Sequence, residues 1–392
     1  MTLQDSKNAV AAIIERILPE ITETRHHLHR NPELSGQEQQ TSASVAERLR
    51  AFGLDDVQTG LAGHGVTAVL RGRADGPMLA LRADMDALPI QEASSLEYAS
   101  RNPGVMHACG HDGHTATLLG TAQVLSELRE FLPGPIKFIF QPAEETVGGA
   151  DGMIAAGVLN DVKAIVALHG WPNLEIGQIG TRSGPMMASA DGFDLTIRGK
   201  GGHAAYPHTT VDPIPIGSQI VSAWQTLSSR EVSPLDSVVV TVTQFHAGNA
   251  YNVIPSTAEL KGTVRCLSNA VRDEMPAKME RIAAGICAAF RAEYDFVYTF
   301  GPPVVVNDPT LTSLVESVGR DALAPGAVTP LETPTMGAED FAFYLREVPG
   351  VMFRLGVGTD VTALHTPTYN FSDGALQYSV TMLANIALRY GA

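Results

Sequence analysis

Short apolar segments alternate with helical patterns through the first half of the chain, and this alternation constrains the fold more than any other feature. Val66–Arg71, Pro77–Arg82, Ile136–Phe140 and Ala164–Leu168 have the length and composition of strands. Met78–Leu81 is apolar on both faces, which is typical of a central strand covered on both sides. We therefore predict an α/β domain built on a mostly parallel, covered sheet.

Amphipathic patterns predict the helices of this domain. Residues 6–30 carry an apolar stripe, and Pro19 within it predicts a bend or a break. Further helices are predicted at 38–52, 114–130 and 149–157. Three histidines near the end of the first pattern are interpreted as a polar helix face and not as ligands: His26, His27 and His29.

The pattern changes near residue 187. A strand, a helix, two strands, a helix and a strand follow at 194–198, 213–228, 237–246, 256–266, 271–291 and 294–300. This order is the ferredoxin-like split βαβ arrangement. From about residue 301 the first domain resumes. We therefore predict a first domain formed by 1–186 and 301–392, with residues 187–300 inserted as a ferredoxin-like α+β domain.

Composition excludes several classes of protein. The net charge is −15, with 27 basic and 42 acidic residues and no basic cluster, so nucleic acid is not an expected partner. No apolar run approaches the length of about 18 residues that spans a bilayer, and the acidic N-terminal pattern is unlike a signal peptide. Three cysteines without Cys-x-x-Cys spacing indicate a reducing compartment. We expect a cytoplasmic protein without membrane contact.

Residues 107–114 concentrate three imidazoles, a thiol and a carboxylate: His107, Cys109, His111, Asp112 and His114. Thiolate and neutral imidazole are the ligands that borderline metals such as zinc prefer. Gly110 allows its two neighbours to turn toward a common point without steric cost. The segment predicts a metal site, with a histidine-rich surface loop as the alternative.

Further residues of the types that bind metals follow the predicted strands. Asp84, the Glu144-Glu145 pair and His169 each follow the carboxyl end of a strand, where open α/β sheets bind ligands. Two adjacent carboxylates repel each other unless one is neutralised. A metal can bind one of them and leave the other to accept a proton. Spacing alone does not say which glutamate has which role.

The chain resembles the amidohydrolase branch of the two-metal aminoacylase and carboxypeptidase superfamily, which includes hippurate hydrolases and indole-acetyl-amino-acid hydrolases. The matching motifs occur in the family's order and span nearly the whole chain: His27–Leu34, Leu81–Pro89, Met106–His114, Gln141–Glu145, Gly148–Ala150, Gly199–His208, Asn252–Pro255, Met336–Tyr344 and Leu364–Pro367.

The resemblance implies two adjacent divalent ions, Zn²⁺ or Mn²⁺, with Co²⁺ or Ni²⁺ as alternatives. Cys109 would lie between the ions. His111 and His169 would bind one ion, and Glu145 and His365 would bind the other.

The resemblance also implies the catalytic roles. It makes Glu144 the general base and Asp84 a carboxylate that orients a ligand. The superfamily's His-x-Asp reads Arg82-Ala83-Asp84 here. One imidazole is therefore absent at that position, and His111 replaces it.

The inserted domain carries the predicted substrate-contacting residues and the predicted dimer contact. By resemblance, His203 on its glycine-rich loop is the donor to the oxyanion, and Asn252 and Arg265 hold the substrate carboxylate. The β-branched segment Val238–Thr243 would pair between chains if it lay at an edge. The resemblance implies a homodimer or higher oligomer through this domain, with His203 acting on the partner's site.

We therefore expect a metal-dependent enzyme that hydrolyses linear amides, namely N-acyl amino acids of the hippurate, N-acetyl or aryl-acyl type. Two alternatives stay open. One is a dipeptidase or carboxypeptidase with the same apparatus, and the other is a non-catalytic binder of acyl-amino acids or metal. The sequence does not identify the acyl group, the amino acid or the metal.

Overall fold

The computed structural model describes residues 3–72, 75–146 and 148–392, which form two compact units. The first unit comprises Met1–Gly184, Val306–Glu332 and Asp340–Ala392, and the second comprises Pro185–Val305 and Thr333–Glu339. The second unit therefore interrupts the first. Its short segment Thr333–Glu339 falls within the stretch 301–392 that the sequence assigned to the first domain.

The first part of the chain contains four helices and six strands among the described residues. The helices are α1 (Leu3–Arg30), α2 (Gln39–Ala51), α3 (His111–Glu127) and α4 (Gly149–Ala155). The strands are β1 (Asp55–Leu61), β2 (Gly65–Leu70), β3 (Met78–Asp84), β4 (Ile136–Gln141), β5 (Val162–Trp171) and β6 (Ile179–Thr181).

Helix α1 corrects the expectation of a break at Pro19. The helix continues through the proline. Proline removes one backbone hydrogen bond, but Ile14, Ile17 and Ile21 on either side of it are buried in the same core, and this packing stabilises the helix across the proline.

The inserted part contains β7 (Gly184–Met187), β8 (Asp191–Arg198), β9 (Gly202–His203), α5 (Pro213–Thr226), β10 (Val238–Ala247), β11 (Val253–Ile254), β12 (Thr257–Cys266), α6 (Asn269–Phe290) and β13 (Glu293–Thr299). The order of its four-stranded antiparallel sheet is β10-β12-β8-β13, as in the ferredoxin-like arrangement. Asp212 and Ser268 cap the two helices by accepting backbone hydrogen bonds. Strand β10 lies at an edge of the sheet.

The chain ends with β14 (Val305–Asn307), α7 (Pro309–Ala322), β15 (Val328–Pro330), α8 (Phe341–Glu347), β16 (Gly350–Gly356) and α9 (Leu376–Arg389). Helices α1, α3 and α9 pack on one another, and α8 packs on α4 and β16.

The sheet of the first unit has the order β1-β2-β4-β3-β5-β16-β6-β15. Its centre, from β4 to β16, is parallel, whereas β1, β2 and β6 join it by antiparallel pairing. Strands β2 and β16 are buried along their whole length, so both faces of the sheet are covered. The predicted α/β class with a ferredoxin-like insertion is confirmed, with a sheet that is mixed overall. No helix of the described residues is both long and apolar enough to cross a bilayer.

Candidate metal centre

The adjacent parallel strands β4, β3 and β5 bring their carboxyl ends together. Asp84 is the last residue of β3, Glu144 and Glu145 follow the end of β4, and His169 lies near the end of β5. Since these ends share one edge of the sheet, residues far apart in the sequence meet there.

The segment before α3 adds its side chains to this edge. Gly110 has φ of 92°, the left-handed conformation that glycine adopts without steric cost. This confirms the predicted turn between Cys109 and His111. A Cβ atom at residue 110 would lie 2.9 Å from the Tyr369 hydroxyl oxygen. Glycine is therefore required both for the turn and for the close approach of Tyr369.

Two sets of possible ligand atoms share Cys109. The first is Cys109, His111 and His169, and the second is Cys109, Glu145 and His365, with the atoms of each set within 4.8 Å of one another. The Cys109 Sγ atom lies 3.5 Å from Nε2 of His169, and Glu145 Oε1 lies 3.3 Å from Nε2 of His365. Two sets joined by one thiol are the arrangement that a pair of ions with a bridging ligand requires.

Backbone contacts orient the two buried histidines of the first set. Nδ1 of His169 donates to the carbonyl oxygen of Gly170 at 2.8 Å, and Nδ1 of His111 donates to that of Asp86 at 2.9 Å. Each ring therefore directs Nε2 into the cluster, in the tautomer that a metal ligand needs. Nε2 of His111 is buried without a hydrogen-bond partner among the described residues. An orphaned lone pair beside a thiol and carboxylates fits a divalent cation.

The electrostatics of the cluster also favour added positive charge. Burial lowers the pKa of His111, but the Asp84 carboxylate and Cys109 raise it, and the net shift is well above the usual value. A hydrogen bond that His365 donates to the Glu145 carboxylate raises the pKa of His365. Burial raises the pKa of the Cys109 thiol, and Glu145 raises it further. Burial lowers the pKa of His169 to about 3, which keeps this ring neutral. A proton and a metal compete for such sites.

Asp84 contacts a histidine that the sequence did not assign. Its Oδ1 accepts from Nδ1 of His114 at 2.6 Å, and Nε2 of His114 accepts from the backbone N–H of Gly170 at 2.8 Å. Both ring nitrogens of His114 are thus engaged within the protein. The other carboxylate oxygen of Asp84 lies 3.8 Å from Nε2 of His111, beyond hydrogen-bond distance.

Asp86 is the functional candidate that sequence reasoning missed. Its carbonyl oxygen orients His111, and its carboxylate lies 3.3 Å from Nδ1 of the same ring. The carboxylate also accepts from Ser35 at 2.6 Å and from the backbone N–H of Glu145 at 3.0 Å. The sequence shows Asp86 two residues after Asp84, but Asp86 lies beyond the end of β3, and its contact with His111 is seen only in the structure.

Arg82, at the position of the missing imidazole, is buried in a polar network. Its guanidinium donates to Asp84 at 2.7 Å, to Gln141 at 2.9 Å and to Asp340 at 2.9 Å. The backbone N–H of Asp340 lies 3.4 Å from Oε1 of Glu144. The network thus connects Asp84 with the segment that carries the predicted general base.

The interpretation of His29 as part of a polar helix face was wrong. His29 is fully buried, and its Nδ1 lies 2.8 Å from Asp112. His26 is half-buried and stacked on Tyr98, while His27 is exposed as expected. The helical period places His29 on the same side as Arg25, next to the core.

The second unit carries the three predicted substrate-contacting residues. Strands β9 and β11 pair so that His203 lies opposite Val253, and the Ala204 N–H donates to the Asn252 carbonyl at 3.0 Å. The structure therefore brings His203 and Asn252 together on one exposed ribbon. Arg265 lies separately near the end of β12, half-buried, where burial lowers its pKa.

Comparisons with known proteins agree over most of the chain. The model of "Peptidase family M20/M25/M40" matches residues 80–389. An N-acyl-L-amino acid amidohydrolase of Geobacillus stearothermophilus is 47% identical over 303 residues, covering 77% of this chain and 82% of that protein. Thermostable carboxypeptidase 2 of Saccharolobus solfataricus is 38% identical, covering 94% and 95%. The Bacillus subtilis YXEP protein, described as a dinuclear metal binding peptidase, superposes with a TM-score of 0.86 at 37% identity, covering 95% and 98%.

Proposed function

Because this chain belongs to peptidase family M20/M25/M40, we propose that it is a metal-dependent amidohydrolase that cleaves the amide bond of N-acyl amino acids. The observation that carries the proposal is the pair of donor sets sharing Cys109 next to the Glu144-Glu145 pair. The amidohydrolase relative supports the substrate class, and the dinuclear peptidase supports the use of two ions.

The ligand assignment follows the two donor sets. His111 and His169 would hold one divalent ion, Glu145 and His365 the other, and the Cys109 thiolate both. Bound ions would supply a water that ionises near neutral pH and a positive charge for the developing carbonyl oxyanion. A cation would also remove the cost of a buried thiolate, because coordination deprotonates a thiol outright. The thiolate favours zinc, with manganese, cobalt and nickel as alternatives.

Glu144 is the proposed general base. It accepts a proton from the attacking water and returns it to the nitrogen of the leaving amine. Glu145 shares a donor set with Cys109 and His365, so this scheme assigns Glu145 to the ions and Glu144 to the proton. Glu144 also lies in a set with His111 and Glu145, which places its carboxylate beside the ions. Asp84 and Asp86 act through other residues, by holding His114 and His111.

His203 is the proposed donor to the oxyanion. The Ala205 N–H donates to its Nδ1 at 3.1 Å, so the neutral ring carries its proton on Nε2, the atom that can donate to a substrate oxygen. Asn252 and Arg265 are proposed to hold the carboxylate of the substrate, for which a guanidinium has the matching geometry.

A substrate panel tests this function. Chelator-stripped protein is supplied with Zn²⁺, Mn²⁺, Co²⁺ or Ni²⁺ in turn and assayed for free amino acid from N-acetyl- and N-benzoyl-amino acids. We expect metal-dependent release from at least one group of these compounds. Tight metal binding without release from any compound would contradict the enzymatic function and favour a non-catalytic binder.

A peptidase is the second candidate, and the 38% identity with a thermostable carboxypeptidase favours its inclusion. Both reactions use the same hydrolytic groups and differ in the acyl side of the amide. Dipeptides and N-blocked peptides in the same panel separate them. A preference for free dipeptides over N-acyl amino acids would assign the peptidase activity.

We also propose that the inserted unit forms a homodimer in which His203 completes the active site of the partner chain. Edge strand β10 is long and β-branched, and Val239 and Phe245 on it are exposed. Glu144→Gln and His203→Ala chains, each inactive alone, should regain activity when mixed, since one site of the heterodimer carries neither defect. If tagged chains exchange and activity stays absent, His203 does not act in trans.

A further inference from the structure

Arg25 is a fully buried guanidinium that contacts two of the segments carrying the proposed ligands. Its Nε donates to Asp112 at 2.8 Å, and Asp112 directly follows His111. Its Nη1 donates to Asp373 at 2.9 Å, and its Nη2 donates to Asn370. Asn370 and Asp373 lie on the segment that begins at His365. One side chain of α1 therefore joins the His111 segment to the His365 segment.

The surroundings of Arg25 are built to hold this geometry. His29 contacts the same oxygen of Asp112 at 2.8 Å, and Glu92 lies 3.3 Å from the other nitrogen of His29. The Tyr98 ring covers the guanidinium, with 4.7 Å between its centroid and Cζ of Arg25. Burial by itself raises the pKa of Asp112, but Arg25 and His29 hold it well below the usual value, so the carboxylate is charged.

A buried ion pair adds little to the free energy of unfolding compared with apolar residues of the same volume. Removing two charges from water costs several kcal/mol per ion, and apolar residues of similar volume often serve stability as well. A buried arginine contributes geometric specificity instead, because its planar guanidinium donates to several acceptors at fixed angles. The two ligand segments also meet through a backbone hydrogen bond, from the His365 N–H to the Ala108 carbonyl at 2.8 Å, and through the rings of Tyr369 and Phe371, which pack closely against Gly110 and Gly113. Arg25 adds to these contacts the one charged side chain described above that donates to both segments.

We propose that Arg25 is a positioning residue of the metal centre, setting the separation between the His111 segment and the His365 segment and therefore the affinity for the pair of ions. This inference rests on the proposed function. Arg25 belongs to neither donor set. It acts on the ligands through Asp112, Asn370 and Asp373.

Metal titration of Arg25→Lys tests the inference. Lysine keeps the positive charge but cannot bind the three acceptors with one planar fork. We expect at least one of two binding events to weaken by about 10- to 100-fold, as for other residues that orient metal ligands. The matched control is Arg272→Lys, because Arg272 forms a buried pair with Asp191 at 2.7 Å within the second unit. The control should lose stability and keep the metal affinities of the wild type.

Unchanged affinities in Arg25→Lys, or equal losses in both variants, would overturn the inference. If Arg25→Lys does not fold, Asn370→Ala combined with Asp373→Asn replaces it, since this variant keeps the Arg25–Asp112 pair and releases the His365 segment. The same weakening is then expected, and unchanged affinity overturns the inference. A wild-type protein that binds no metal would refute the proposed function itself, which distinguishes the two failures.

Discussion

Two adjacent glutamates have different surroundings, and this difference sets their proposed roles. Glu145 Oε1 lies 3.3 Å from His365, whereas Glu144 Oε1 lies 3.4 Å from the N–H of Asp340. We expect Glu144→Gln to bind two ions as the wild type does and to lose about 100- to 10,000-fold in turnover, because the amide cannot accept the proton. Metal analysis and single-turnover kinetics measure both quantities. A parallel loss of metal would make Glu144 a ligand.

Gly110 has a conformation and a neighbour that exclude a side chain. Gly110→Ala should lower the free energy of unfolding by about 1–3 kcal/mol, since alanine must adopt a positive φ and displace the Tyr369 hydroxyl. The matched control is Gly285→Ala in α6, where an added Cβ meets no atom within 4 Å. The control should gain about 0.5–1 kcal/mol. Chemical denaturation measures both, and a stable Gly110→Ala protein would contradict the geometry of the segment.

At the scale of elements, His29 of α1 contacts Asp112 of α3, and this contact makes stability depend on pH. Burial by itself lowers the pKa of His29, but Asp112 raises it by more, so the net value lies above its usual 6.5. The charged ring then contributes stability that is fully present below about pH 6.5 and is lost as pH rises through the folded-state pKa. The stability difference between wild type and His29→Gln should therefore be larger at about pH 6 than at about pH 9. Urea unfolding in the presence of a chelator measures it, and a constant difference would contradict the contact.

Edge strand β10 is the element on which the proposed dimer depends. Val239 is 40% exposed on it, and Val239→Lys should shift the dimer toward monomer, because charged lysines on an edge oppose strand pairing. The control is Val297→Lys on the opposite edge strand β13, where Val297 is 56% exposed. Light scattering after size-exclusion chromatography reports the mass. Dissociation by the control alone would place the interface on β13.

At the scale of the whole molecule, the sequence predicted the α/β class and the inserted ferredoxin-like domain because strongly apolar strands and long amphipathic helices dominate both units. Strand β1 was missed because its residues are mostly exposed and do not alternate. The burial of His29 and the contact of Asp86 with His111 depend on tertiary neighbours that no local pattern encodes.

Two backbone features of the centre were also beyond sequence reasoning. Ala143 and His365 have φ of 52° and 62°, which costs about 1–2 kcal/mol for a residue with a side chain. Such strain is sustained by the surrounding packing and is concentrated at functional segments. Alanine rarely adopts the left-handed region, so nothing in the sequence indicates it at Ala143, and the modest enrichment of histidine there does not single out His365 among twelve histidines.

The most direct test is the release of free amino acid from N-acyl amino acids by chelator-stripped protein as a function of added metal. We expect no release from the stripped protein, and a rise that reaches its plateau at two equivalents of ion per chain. Cys109→Ala should not reach this plateau at the same metal concentration. Hydrolysis by the metal-free protein, or a plateau in Cys109→Ala identical to that of the wild type, would contradict a two-ion centre bridged by Cys109.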